Sequence, residues 1–197
     1  MGQRLVITIE NMGREIAKIY YHWSAYSFSA LRETQKVLNC ICDGEDKSES
    51  ELLLRLIRFC EKNGGGIRAT NEEFEYIKNL YPNEIFKTDD YSRNQGLIAL
   101  SENGMAGLQS WSEGDITIHI DKDRISNSVY CDYTIDEYNE ERQEWDENFE
   151  PLTLDDITDI GYDLGDISFE EIDDVIEELR NVDFVCRHGD TVYSLIE

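Results

Sequence analysis

Between Asp132 and Glu178 the chain carries 20 carboxylates in 47 residues and a single basic side chain, Arg142. Carboxylates at this density can hold a divalent cation, share a proton as an acid and base pair, or present an anionic surface to a cationic partner. The calcium loop of an EF-hand needs Asp-x-Asp/Asn-x-Asp/Asn-Gly followed by a distant Glu; the run from Asp155 to Asp163 does not supply it, and Asp121-x-Asp123 lacks the glycine and the Glu. No metal site and no cofactor is therefore expected. The anionic surface remains. From Phe169 to Leu179 the apolar residues Phe169, Ile172, Val175, Ile176 and Leu179 recur at helical steps, which leaves Glu170, Glu171, Asp173, Asp174, Glu177 and Glu178 on the other side. The segment from Asp136 to Trp145 repeats the pattern, with Asp136, Glu137, Glu140, Glu141 and Glu144 facing outward. Like charges at i,i+4 each cost a helix about 0.2–0.5 kcal/mol, so such faces are maintained against a stability cost. These eleven carboxylates are the candidate partner-binding residues.

A second group is Tyr20-Tyr21-His22-Trp23-Ser24-Ala25-Tyr26, placed where a strand gives way to a helix. His22 with Ser24 or Tyr26 is the candidate for acid–base or nucleophilic chemistry on RNA or a small molecule, and aromatic packing around a hydrogen-bonded imidazole is the competing explanation. His119 falls on the polar face of a strand and His188 in a hairpin turn. Gly-x-Ser-x-Gly, His-Glu-x-x-His and nucleotide-binding loops are all missing from the sequence. Cys40-x-Cys42 and Cys186-x-His188 do not have zinc-knuckle spacing, and five cysteines at irregular intervals read as reduced thiols.

The elements that must position these groups follow from the periodicity. Leu5, Ile7 and Ile9 alternate with less apolar neighbours, and past Asn11-Met12-Gly13 an extended run from Glu15 to Tyr21 predicts a β-hairpin. A helix is expected from Ser27, ended by Asp43-Gly44. A second opens with a Ser48/Glu51 capping box and ends at Gly64-Gly65-Gly66, and its run of Leu, Ile and Phe makes it central to the core. Thr70 and Glu73 form another capping box, before a short helix that stops ahead of Pro82. Gly96 to Leu100 reads as a strand. A short helical segment with Met105, Leu108 and Trp111 then leads to a strand over 115–120 and its partner over 126–134. Acidic helical segments are expected over 136–145, 154–160 and 169–179, and a closing hairpin from Phe184 to Ile196. The expected class is α+β, one domain over 1–197, with an antiparallel sheet (N-terminal hairpin, central meander, C-terminal hairpin) packed by helices.

The whole chain has 197 residues and a formal charge of −25, and the charge is divided unevenly. Residues 1–100 hold 15 acidic and 13 basic side chains; residues 101–197 hold 28 and 5. This argues against direct binding to DNA, RNA or an anionic membrane, since polyanions repel it. Aromatic residues at 11% separate it from disordered acidic tails. An acid-biased proteome is the competing explanation for the charge, and it would acidify both halves. No apolar run has the length of a membrane span, and a cytoplasmic location is expected.

Gly2-Gln3-Arg4-Leu5 through Tyr21-His22-Trp23-Ser24-Ala25-Tyr26, with Arg93-Asn94-Gln95-Gly96-Leu97-Ile98-Ala99-Leu100, resembles small proteins of phages and mobile elements of Gram-positive bacteria. The very acidic format is similar to that of anti-CRISPR proteins that inhibit Cas9. The resemblance implies a binding inhibitor that presents carboxylates where the nuclease, or its guide-RNA complex, expects nucleic acid. It also admits enzymatic members and members that cause loss of guide RNA.

Overall fold

The computed structural model describes residues 4–24, 29–42, 48–87, 95–112, 114–120, 129–135, 137–139, 144–146, 174, 185–188 and 191–194. The N-terminal hairpin is present as β1 (Leu5–Asn11) and β2 (Arg14–Tyr21), paired antiparallel with a register shift at Ile9/Glu10. Its tight turn puts Met12 at φ 53 and Gly13 at φ 76. Helix α1 (Ser29–Cys42) is followed by α2 (Glu49–Lys62), whose N-cap Ser48 accepts a hydrogen bond from the Glu51 amide at 3.4 Å. Strand β3 (Gly66–Ile67) follows, then α3 (Asn71–Leu80), β4 (Gln95–Ala99), α4 (Glu102–Gln109), β5 (Gly114–Ile120) and β6 (Val129–Ile135). Two further hairpins are β7 (Glu137–Asn139) with β8 (Glu144–Asp146), and β9 (Val185–His188) with β10 (Thr191–Ser194).

The class is α+β. The main sheet has six strands in the order β3-β4-β2-β1-β5-β6. It is mixed, not antiparallel throughout: β1 pairs parallel with β5, Leu5 opposite Gly114 through Asn11 opposite Ile120, and β3 pairs parallel with β4. A parallel pair needs a long crossover, and the chain between β1 and β5 supplies one, containing β2, β3, β4 and helices α1 to α4. The expected strand pairing of β5 with β6 is antiparallel as the sequence suggested.

Alternation gives the sheet two different faces. Leu5, Ile7, Ile9, Ile19, Ile98, Ile116 and Ile118 lie on one, in a single core with Val37 and Leu38 of α1, Leu52, Leu56 and Ile57 of α2, and Ile77 of α3. Each such side chain taken fully out of water contributes about 1.5–3 kcal/mol relative to exposure. The other face carries Val6, Tyr20, Leu97 and Ala99, covered by Met105 and Leu108 of α4 with Trp111 against them. Glu61, a buried carboxylate on α2, accepts from Arg58 Nη1 at 2.6 Å and from the Lys87 amide at 2.5 Å, and so ties the segment after α3 to α2.

The segment over 136–145 is not helical where it is described. β7 and β8 pair antiparallel, with Tyr138 opposite Trp145, Glu137 opposite Asp146 and Asn139 opposite Glu144. Hairpin pairing sets two strand-favouring aromatic residues opposite each other, whereas a helix would line up Glu137, Glu140, Glu141 and Glu144 at mutually repelling steps. His188 is the last residue of β9 and pairs with Thr191, so it belongs to a strand and not, as expected, to the turn of the closing hairpin. The expected helix over 154–160 lies outside the described residues. Of the expected helix over 169–179 only Asp174 is described, helical and exposed. Among the described residues no helix is long and apolar enough to cross a membrane.

Candidate functional site

The second face of the sheet carries a group of interacting polar side chains. Lys18 on β2 and Thr8 on β1 are partners in register, both buried, on the face where Val6 and Tyr20 meet α4. The Lys18 ammonium donates to Gln109 Oε1 at 2.7 Å and to Glu15 Oε1 at 3.2 Å. Gln109, the last residue of α4, turns its amide nitrogen to Asp115 Oδ1 at 2.6 Å. Burial pushes the Asp115 carboxyl above the ordinary aspartate range, and hydrogen bonds from Gln109 and Ser112 and the charge of Lys18 oppose that rise. An ammonium and a carboxylate are thus held on one face, bridged by a side-chain amide. Farther along, His119 Nδ1 lies 3.1 Å from Glu10 Oε1, so His119 is on the polar face of its strand as expected. Glu10, Glu15, Lys18, Gln109, Asp115 and His119 thus each have a side-chain neighbour within hydrogen-bond distance.

His22 follows the end of β2. Its Nδ1 is 2.7 Å from the Tyr20 hydroxyl, and its ring meets Trp23 edge-on at a centroid distance of 4.7 Å. Tyr20 in turn meets Trp111 edge-on at 5.4 Å, and the Arg68 guanidinium lies over Trp111 at 4.6 Å. Edge-to-face aromatic pairs and a stacked cation account for the position of His22 without a substrate. Ser24 is buried, Trp23 is half exposed, and Tyr26 lies outside the described residues.

Tyr21 points to the opposite face. Its phenol is raised well above the ordinary tyrosine value, first by burial and then by the proximity of Cys60, Glu33 and Cys40. Its ring packs at 3.6–3.7 Å from where a Cβ would stand on Gly96, a residue at φ 76. The Cys60 thiol is likewise pushed up by burial, which leaves it a poor nucleophile; Cys40 is partly buried and Cys42 exposed, all three as free thiols. Among the described residues no three His, Cys, Asp or Glu side chains converge as a metal site.

Of the candidate partner-binding carboxylates, Glu137 lies on β7 and Glu144 on β8, in one hairpin, and Asp174 is exposed in helical backbone. Asp136, Glu140, Glu141, Glu170, Glu171, Asp173, Glu177 and Glu178 lie outside the described residues. The polar network of Lys18, Gln109 and Asp115 was not anticipated from the sequence. Its signal was there in part: on β1, β2 and β5 the residues alternating with the buried isoleucines include Thr8, Lys18, Asp115, Thr117 and His119. Comparison of the chain with family models, with curated proteins and with solved structures finds no match to any of them.

Proposed function

We propose that the protein is a non-enzymatic binding inhibitor that uses its acidic C-terminal half to occupy a Lys/Arg-lined groove of a nucleic-acid-handling protein of a bacterial host. A Cas9-type nuclease or its guide-RNA complex is the partner that the resemblance to anti-CRISPR proteins implies. The observation that carries the reading is the division of charge, −2 over residues 1–100 and −23 over residues 101–197. Between Asp132 and Glu178 there is one carboxylate per roughly 2.4 residues, an anionic density that a Lys/Arg-lined groove would attract. In the β7–β8 hairpin two acidic residues, Glu137 and Asp146, are in register across the strands, in keeping with this reading. The hydrogen-bonded, aromatic setting of His22 gives no corresponding support to catalysis at that position.

Co-purification from host lysate, with and without RNase, identifies the partner. Inhibition is then titrated against salt for the parent chain, for the combined variant Glu170→Gln, Asp173→Asn, Asp174→Asn and Glu177→Gln, and for His22→Ala. The expected result is affinity that falls steeply with salt, a shallower slope and lost inhibition in the neutralised variant, and full inhibition by His22→Ala. Inhibition that survives neutralisation and dies with His22→Ala overturns the proposal in favour of an enzyme acting on RNA or a small molecule.

A further inference from the structure

The groove between α2 and α3 is apolar inside and acidic at its rim. It encloses about 590 Å³ and is walled by Leu53 of α2 and by Tyr76, Ile77 and Leu80 of α3. On α3, positions 73, 76, 77 and 80 form one helical stripe, and the stripe is only half covered: Ile77 is 4% exposed, while Tyr76 and Leu80 remain 64% and 50% exposed. Large apolar side chains left open at adjacent turns beside a buried one mark an interaction surface more strongly than scattered ones do. Acidic side chains outnumber basic ones around the groove. Glu15, Glu49, Glu72 and Glu73 line it against a single cation, Arg14, whose guanidinium is already engaged by Glu49 at 2.5 Å. This is a local acidic rim in the half of the chain that is otherwise nearly neutral.

From this geometry we infer that the groove docks an amphipathic segment of a partner protein, one that inserts bulky apolar side chains and carries Lys or Arg on its flanks. The apolar walls account for the anchors, as in helix-in-groove recognition; with Glu49 engaged by Arg14 and Glu15 by Lys18, the excess negative charge of the rim lies at Glu72 and Glu73, and it selects the sign of the flanking charge. An apolar segment with acidic flanks would bring carboxylates against the rim and be rejected. None of the groove-lining residues is among the C-terminal carboxylates of the proposed function, so the two readings are tested by different variants and can fail independently.

The test uses two synthetic peptides titrated into the full chain with isotope-labelled Leu and Ile methyl groups. One is an amphipathic Leu/Lys peptide with Leu at i, i+3, i+4 and i+7; the other keeps the Leu pattern and replaces Lys by Glu. At about 1 M salt the Debye length is about 3 Å, which suppresses capture of the basic peptide by the C-terminal carboxylates. The Leu/Lys peptide is expected to shift the methyl signals of Leu53, Ile77 and Leu80 and to keep doing so in high salt. At low salt the Leu/Glu peptide is expected to bind at least about tenfold more weakly. Tyr76→Ser combined with Leu80→Ser should weaken the Leu/Lys peptide by about tenfold or more, and Leu80→Ser alone, at a half-exposed position, repeats the test with less risk to folding. The inference is overturned if the groove methyls do not respond, if both peptides bind equally at low salt, or if the Ser variants bind as well as the parent. It is also overturned if the same methyls respond to protein concentration alone and sedimentation shows a dimer that Leu80→Ser abolishes, since the occupant is then a second copy.

Discussion

Two glycines of α4, three residues apart, should respond to the same substitution with opposite signs. In a helix interior Gly→Ala is worth about 0.5–1 kcal/mol in favour of Ala, through the smaller backbone entropy lost on folding. At Gly107 a Cβ meets nothing within 4 Å, so Gly107→Ala should gain most of that amount. At Gly104 the same atom would stand 3.0 Å from Ser101 Oγ, 3.1 Å from Ala99 Cβ and 3.3 Å from the Arg68 carbonyl oxygen. Ala99 is a fully buried residue of β4 and the Arg68 oxygen is backbone, so neither can step aside cheaply. Ser101 Oγ can rotate, but it accepts the Gly104 amide at 3.0 Å as the N-cap of α4, and a lost cap costs about 1 kcal/mol. Overpacking adds about 1–3 kcal/mol, which outweighs the propensity gain. Gly104→Ala should therefore destabilise by about 1–2 kcal/mol and the two variants should differ by about 1.5–3 kcal/mol. Urea unfolding followed by tryptophan fluorescence reads this, because Trp111 packs on the face that α4 covers. If Gly104→Ala is as stable as Gly107→Ala, the close packing of α4 against β4 described above is wrong.

Two further outcomes concern titratable groups. Because burial raises the Asp115 carboxyl, the folded chain takes up that proton at a higher pH than the unfolded chain, and stability falls as pH rises through the window just above the ordinary aspartate range. In Asp115→Asn that fall should be missing from the difference curve of unfolding midpoints against pH; parallel curves for variant and parent would refute the buried setting. Glu73 behaves in the opposite sense: the Ser101 hydroxyl, then the Thr70 amide at 2.7 Å, hold it below the ordinary glutamate range, so its contribution is present above that range and lost as pH falls through the lowered value. A double-mutant cycle of Glu73→Ala and Ser101→Ala should give a coupling of about 0.5 kcal/mol, at the low end because Glu73 is solvent-accessible, fading in acid; zero coupling at neutral pH would break the link between the caps of α3 and α4.

The local devices were legible because each is written in a few neighbouring residues. Thr70 and Glu73 form both halves of the capping box that their spacing announces, and Ser48 caps α2 through the Glu51 amide. The β1–β2 turn falls at Met12-Gly13. Strand direction was not legible: alternation in Leu5–Ile9 and in Ile116–Ile120 fixes which residues share a face but not which strand lies alongside, and both parallel pairs join segments distant in sequence. The two-residue β3 is too short to leave a periodic signal. Over 136–145 the signal was present but misleading, since Glu137, Glu140, Glu141 and Glu144 happen to fall at helical steps while Tyr138 and Trp145 pair across strands. The Lys18–Gln109 contact joins residues 91 apart and exists only once β2 and α4 meet on one face of the sheet.

The sheet edge bears on how much of the C-terminal charge the fold itself needs. β6 is an edge strand of the six-stranded sheet, β9 lies beside it, and the strands from β7 onward are three or four residues long. Short edges with a charge or two are a sufficient defence against edge-to-edge pairing with other chains. That need is met by a few residues such as Asp132 on β6; it does not call for 20 carboxylates between Asp132 and Glu178, nor for Glu137 set directly opposite Asp146. Solubility does not call for them either, because a net charge of magnitude about 2–8 already suffices for a small domain. The surplus over those two needs is what the proposed binding to a basic partner would account for.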